Sequence, residues 1–151
     1  MSQLKVRAAN EGDIPFILAC EASPAGKFIQ ADNEATHRAN CTNPNFTYLI
    51  AEDSQDQPLG YAMLVTSDDG RKEWRRIIIG NPGNGIGTTF MHAVIKEIFT
   101  TGAPAIWLDV YEDNERARHV YKKLGFVETS IAPAPHSPDR NLVIMELTSP
   151  E

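Results

Sequence analysis

With 151 residues, 42% of them apolar and 23% charged, the chain has the makeup of a soluble globular protein and enough length to bury a sizeable core in one domain, taken as 1–151. A formal net charge of −6 and a pI near 5.2 argue against non-specific nucleic-acid binding and fit either a generic acidic surface or one that attracts a cationic amine. No apolar run approaches the roughly 20 residues of a membrane span, the N-terminus lacks the apolar core of a signal peptide, and Cys20 and Cys41 have no metal-site spacing, so a cytoplasmic protein with reduced thiols, no membrane partner and no metal is expected.

In chain order, Leu4 to Ala8 alternates and starts a strand. Residues 10–13 read as a turn and cap, and 14–20 as a helix with Pro15 in its first turn. Ser23-Pro-Ala-Gly26 breaks that helix; 28–40 is polar and predicted as a second helix, with Asn33 a candidate cap. Strands at 46–51 and 59–66 form a hairpin, and 73–79 is the third strand of this meander. A helix over 86–100 stops near Gly102-Ala-Pro104; strand 105–111, helix 114–124 and strands 126–131 and 142–147 complete the chain. Residues 131–141 read as a Pro-rich loop holding His136. The helical crossover between strands 73–79 and 105–111 makes them parallel neighbours.

The most informative stretch is RIIIGNPGNGIGTTF at 76–90. Three isoleucines read as a buried strand. Alternate glycines follow at Gly83, Gly85 and Gly87, and then a helix with Met91, Val94, Ile95 and Ile98 on one face. Strand, glycine turn and helix start together make an anion site. Glycines let backbone N–H groups converge on a ligand, and the helix N-terminus adds unpaired donors and about half a positive charge. A phosphate or pyrophosphate is the natural guest, although a glycine-rich connection with no ligand shares the same pattern. A P-loop would need a lysine where Thr88 and Thr89 follow Gly87, and the dinucleotide fingerprint would need a glycine at Thr88; both fail.

Downstream, AIWLDVY at 105–111 is followed by NERARHVYKKLGF at 114–126. The combination resembles the GNAT superfamily of N-acetyltransferases. That family carries Q/R-x-x-G-x-G/A, then a strand, then N-x-R-A-x-x-x-Y-x-x-x-G-F. The second part is met at Asn114, Arg116, Ala117, Tyr121, Gly125 and Phe126; the first is met at Gly85 and Gly87. Pro82 stands where Gln or Arg is usual, which bears on one side-chain contact to the pyrophosphate and not on the backbone cradle. The resemblance covers 59–126 closely and the flanks in layout.

It implies an α/β (α+β) fold: a mixed sheet of six to seven strands, an N-terminal antiparallel meander, a splayed parallel central pair and about four helices. It implies acetyl-CoA as co-substrate, with the pantetheine arm entering the gap between the splayed strands and pairing with the strand before the glycine loop. The expected cofactor contacts are then Ile77, Ile78, Ile79, Gly83, Asn84, Gly85, Ile86, Gly87, Thr88, Asn114, Ala117, Tyr121 and Lys123, with Lys122 a further cation near the adenosine 3′-phosphate. The region between the first two helices is assigned to the acceptor, with Glu21, Phe28, Gln30 and Asp32 as polar and aromatic candidates; for each, a solvated surface role is the competing reading.

Acetyl transfer from a thioester needs a neutral amine, a donor for the oxyanion and an acid for the departing thiolate. Tyr121 is the candidate acid, because a phenol with pKa near 10 keeps its proton at pH 7. Asn114, Ala117 and Tyr121 share one helix face at i, i+3 and i+7. A main-chain N–H within 77–79 is the expected oxyanion donor. Glu73 is the candidate base, with Glu112 and Asp113 as alternatives. His92 is expected on the surface, and His37, His119 and His136 read as solvated. An amine-bearing acceptor, small molecule or protein, is the expected partner, with a homodimer compatible with the resemblance. A non-catalytic CoA-binding module and a ligand-free structural domain are the competing readings.

Overall fold

The computed structural model describes residues 4–23, 32–80, 85–135 and 137–150. Seven strands form one sheet: β1 (Lys5–Ala8), β2 (Phe46–Glu52), β3 (Pro58–Thr66), β4 (Lys72–Ile79), β5 (Ala105–Tyr111), β6 (Val127–Ala134) and β7 (Ser137–Thr148). Their spatial order is β1-β2-β3-β4-β5-β7-β6. Among the described residues four α-helices connect them: α1 (Ile14–Ala22), α2 (Glu34–Cys41), α3 (Ile86–Thr100) and α4 (Glu115–Lys123). The first four strands run antiparallel in sequence order, as predicted for the meander.

The sheet has an apolar layer on each face. Against one pack α3 and α4: Phe90, Val94 and Ile98, at i, i+4 and i+8, meet Leu64, Trp74, Ile106, Leu108 and Met145. Each such side chain contributes about 1.5–3 kcal/mol by leaving water. Met91 and Ile95 flank this stripe half-buried. Against the other face packs α1, with Ile17 and Cys20 on Tyr48, Ile50, Tyr61, Met63 and Ile78. Alternation along β4 therefore sends Trp74, Ile77 and Ile79 to the α3/α4 side and Ile78 to the α1 side.

Two features of β4 shape the centre. Its register with β3 runs Met63↔Arg76 and then Leu64↔Trp74, so Arg75 is an extra, bulged residue that bends the strand. Its parallel pairing with β5 consists of Lys72↔Ile106 and Glu73↔Trp107 alone. Past those pairs the two strands separate. β5 stays paired to β7 along its whole length and β4 to β3 up to Ile79, so the gap opens between β4 and β5.

The Pro-rich stretch predicted as a loop is instead a hairpin: β6 runs through Pro133 to Ala134 and β7 begins at Ser137. Proline is tolerated here because β6 is the sheet edge and its register slips between Pro133 and Ala134. The second helix is shorter than predicted, Glu34–Cys41, with Asn33 capping it by accepting from the Thr36 N–H at 2.8 Å. Phe28, Gln30, Pro82, Gly83, Asn84 and His136 lie outside the described residues.

Candidate active site

Helix α3 is the next element after β4 in the chain. Gly85 stands at its N-cap with φ +72°, the left-handed region that a side chain disfavours, and among the described residues no side chain caps the helix. The N–H of Thr89 reaches the Gly85 carbonyl at 3.1 Å. The N–H groups of Ile86, Gly87 and Thr88 precede that first helical bond and are the orphan donors of the helix start. A Cβ built on Gly85 or on Gly87 would meet none of the described residues within 4 Å. Unpaired donors and the helix dipole together favour negative charge at this helix start.

Helix α4 crosses the same side. Asn114 caps it, its side chain accepting from the Ala117 N–H at 3.2 Å. Ala117 and Tyr121 pack half-buried on the α3/α4 core. The Tyr121 ring lies 5.8 Å from Phe126 and 6.5 Å from Trp74 between centroids. Burial first, and the Asp109 charge second, hold its phenol above the usual tyrosine range, so it stays protonated at neutral pH. Gly125, at φ +106°, closes the helix, and the Phe126 N–H returns to the Tyr121 carbonyl at 3.0 Å. Lys122 and Lys123 are exposed; Lys122 lies 3.7 Å from Glu128.

Along β4, Ile77 is half-buried and Ile78 and Ile79 are buried. In an antiparallel ladder alternate residues turn their N–H and C=O away from the partner strand. Here that direction faces the opening beside β5.

Glu73, at the narrow end of the gap, bonds Arg75 at 2.7 Å. Asp109 on β5 was not singled out as an acid by sequence. Its side chain is exposed, yet neighbouring atoms desolvate the carboxyl and Glu73 repels it, so its pKa is raised. Asp109 thus acts electrostatically on both Glu73 and Tyr121. The alternative acids are engaged at the rim: Glu112 accepts from Asn141 at 3.2 Å, and Asp113 pairs with Arg140 at 2.6 Å. His92 and His119 are exposed, as expected.

His37 is a correction. It is fully buried, with Nδ1 2.8 Å from the Tyr48 hydroxyl and Nε2 2.9 Å from Glu21 Oε1. Glu21, expected at the acceptor, sits 1% exposed inside the same cluster. Its other oxygen accepts from the Tyr61 hydroxyl and from Arg76 at 2.7 Å, and Arg76 also meets Asp32 at 3.0 Å. Desolvation pushes the Glu21 carboxyl up, but the Tyr61 and His37 hydrogen bonds and the Arg76 charge outweigh it and hold it below the ordinary range. The network ties α1 and α2 to β3 and β4, on the sheet face opposite α3.

The site thus consists of a glycine-started helix following a bulged strand, beside a gap in a mixed sheet. Residues 17–126 match the family model for the Acetyltransferase (GNAT) family, and the chain belongs to that family. An uncharacterized N-acetyltransferase of Mycobacterium tuberculosis is 32% identical over 118 residues, 74% of this chain and 75% of the relative. The mycothiol acetyltransferase of Propionibacterium freudenreichii is 33% identical over 100 residues, covering 62% of this chain and 32% of that protein. Among solved structures, a mutant of the spermidine N-acetyltransferase SpeG from Vibrio cholerae superposes with a TM-score of 0.83 at 22% identity, covering 97% and 94% of the two chains. A ribosomal-protein alanine N-acetyltransferase from Escherichia coli gives 0.78 at 20%, with 97% and 94% covered. The chain is an N-acetyltransferase by family, and acetyl-CoA is the family's co-substrate.

Proposed function

We propose that the chain moves an acetyl group from acetyl-CoA to a primary amine by direct attack in a ternary complex. The diphosphate is held by the amides of Gly83 to Thr88, with Thr88 and Asn84 able to add side-chain bonds. The pantetheine arm lies in the β4–β5 gap, with Asn114, Ala117 and Tyr121 along its α4 side, and Lys123 reaches toward the adenosine end. The amine nitrogen attacks the thioester carbon, and an N–H within 77–79 meets the oxyanion. The C–S bond then breaks, and the thiolate takes the Tyr121 proton. Glu73 receives the amine proton directly or through water. Glu21 and Phe28 belong to the acceptor side, Glu21 by fixing α1 against β4 rather than by an exposed contact.

The observation that carries this reading is the end of β4–β5 pairing at Glu73↔Trp107, beside a helix whose first amides have no side-chain cap among the described residues. The test is thiol release from acetyl-CoA with a panel of small amines, amino acids, aminoglycoside-type antibiotics and peptides with free N-termini or lysines. Wild type should turn over at least one acceptor, and Tyr121→Phe should lower kcat by about 10²-fold. An unchanged rate would remove Tyr121 from the mechanism.

A further inference from the structure

Trp74 is 4% exposed, and its indole Nε1 is a buried donor with no hydrogen-bond partner among the described residues. The protein's other tryptophan shows the usual arrangement: Trp107 Nε1 donates to Ser67 Oγ at 2.9 Å. A buried N–H left unpaired is costly, and a tryptophan N–H in an interior normally has an acceptor.

The position of Trp74 indicates where an acceptor would come from. It is the first residue of β4 past the last β4–β5 pair, and it precedes the bulged Arg75. Its side chain lies on the α3/α4 side, between Tyr121 at 6.5 Å and Phe126 at 6.0 Å. The indole therefore sits in the core beneath the point where the fork begins, on the same side of the sheet as the candidate acid.

We infer that Trp74 is a binding residue for the acylated end of the co-substrate, its indole N–H donating to a carbonyl oxygen carried into the β4–β5 gap. This rests on the CoA site proposed above. A carbonyl there is either that of the thioester or that of the pantetheine amide nearest the sulfur. Both are neutral acceptors suited to an uncharged donor, and the Trp74 ring packs edge-on against Phe126 in apolar surroundings.

The test uses the full chain labelled with 15N at tryptophan, which gives two indole N–H signals; Trp107 serves as the internal reference and Trp74→Phe assigns the pair. Saturating acetyl-CoA should move the Trp74 signal downfield and slow its exchange with solvent deuterium, with a smaller change at Trp107. The same change with CoA alone assigns the acceptor to the pantetheine amide; a change confined to acetyl-CoA assigns it to the thioester. By calorimetry Trp74→Phe should bind the responsible ligand roughly fivefold more weakly, the loss of one such bond. Should that variant not fold, the wild-type spectrum decides alone. An unmoved Trp74 signal, with wild type demonstrably binding acetyl-CoA, overturns the inference and leaves a bridging water as the partner. Failure of wild type to bind acetyl-CoA at all overturns the proposed site and this inference with it, and calorimetry separates the two cases.

Discussion

Replacing Glu21 by Gln removes one negative charge from the centre of the α1–β4 network while conserving shape. The carboxylate is 1% exposed and accepts from His37, Tyr61 and Arg76, with the Asp32 N–H at 3.3 Å as a fourth donor. A carboxamide keeps one acceptor oxygen and turns the other into a donor, so one pair of partners loses its acceptor. Removing one member of a buried ion pair costs about 3–5 kcal/mol when the other charge is left alone. Arg76 keeps Asp32 at 3.0 Å, and the His37 ring can present an acceptor nitrogen to the new NH2 group, which places the cost lower, at about 2–3 kcal/mol. For a chain of this size that corresponds to roughly 5–10 °C in Tm. Urea unfolding at pH 7 measures it: the midpoint should fall with the m-value unchanged. The Glu21 pKa is lowered on folding, so its contribution is complete above the ordinary carboxylate value of 4.5 and is lost as pH falls through the folded value. The gap between wild type and variant should therefore be widest above pH 4.5 and narrow on acidification. A loss under about 0.5 kcal/mol at pH 7, or a gap that grows toward acid, would refute the reasoning.

Two further substitutions probe the gap. A Cβ at Gly60 would sit 2.3 Å from the Ile78 carbonyl oxygen and 3.0 Å from Ile79 Cα, both backbone atoms. Gly60→Ala should cost about 1–3 kcal/mol in urea unfolding and, on the proposed site, raise KM for acetyl-CoA, because β4 must shift along the edge assigned to the pantetheine arm. Unchanged stability would show that the two strands are not in such close contact. Asp109→Asn removes a charge that helps hold the Tyr121 phenol above its usual range, so the alkaline limb of the kcat profile should move to lower pH. A limb that stays put or moves upward would separate Asp109 from Tyr121.

Much of the fold was legible because its signals are local. The long helix was read at 86–100 and the strand at 105–111, the bounds found for α3 and β5, since a 3.6-residue stripe and a β-branched and aromatic run leave little ambiguity. Asn33 announces its helix by residue type, and Asn114, read in the motif, caps α4 in the same way. The Pro133 stretch misled because proline ends most strands, and only the sheet order shows that this strand is an edge. The Glu21 cluster was not legible at all: its bonds to His37, Tyr61 and Arg76 join residues 16, 40 and 55 positions apart, and His37 sits in a helix that reads as polar. Asp109 was hidden for a related reason, since its influence on Glu73 and Tyr121 exists only once a crossover sets β5 beside β4.

The most direct measurement is a crystal structure of the protein with CoA. The account predicts diphosphate oxygens about 2.7–3.2 Å from the main-chain nitrogens at the start of α3, and the sulfur between β4 and β5 within reach of the Tyr121 hydroxyl. A CoA molecule bound on another face, or one whose sulfur lies outside that gap, would contradict it.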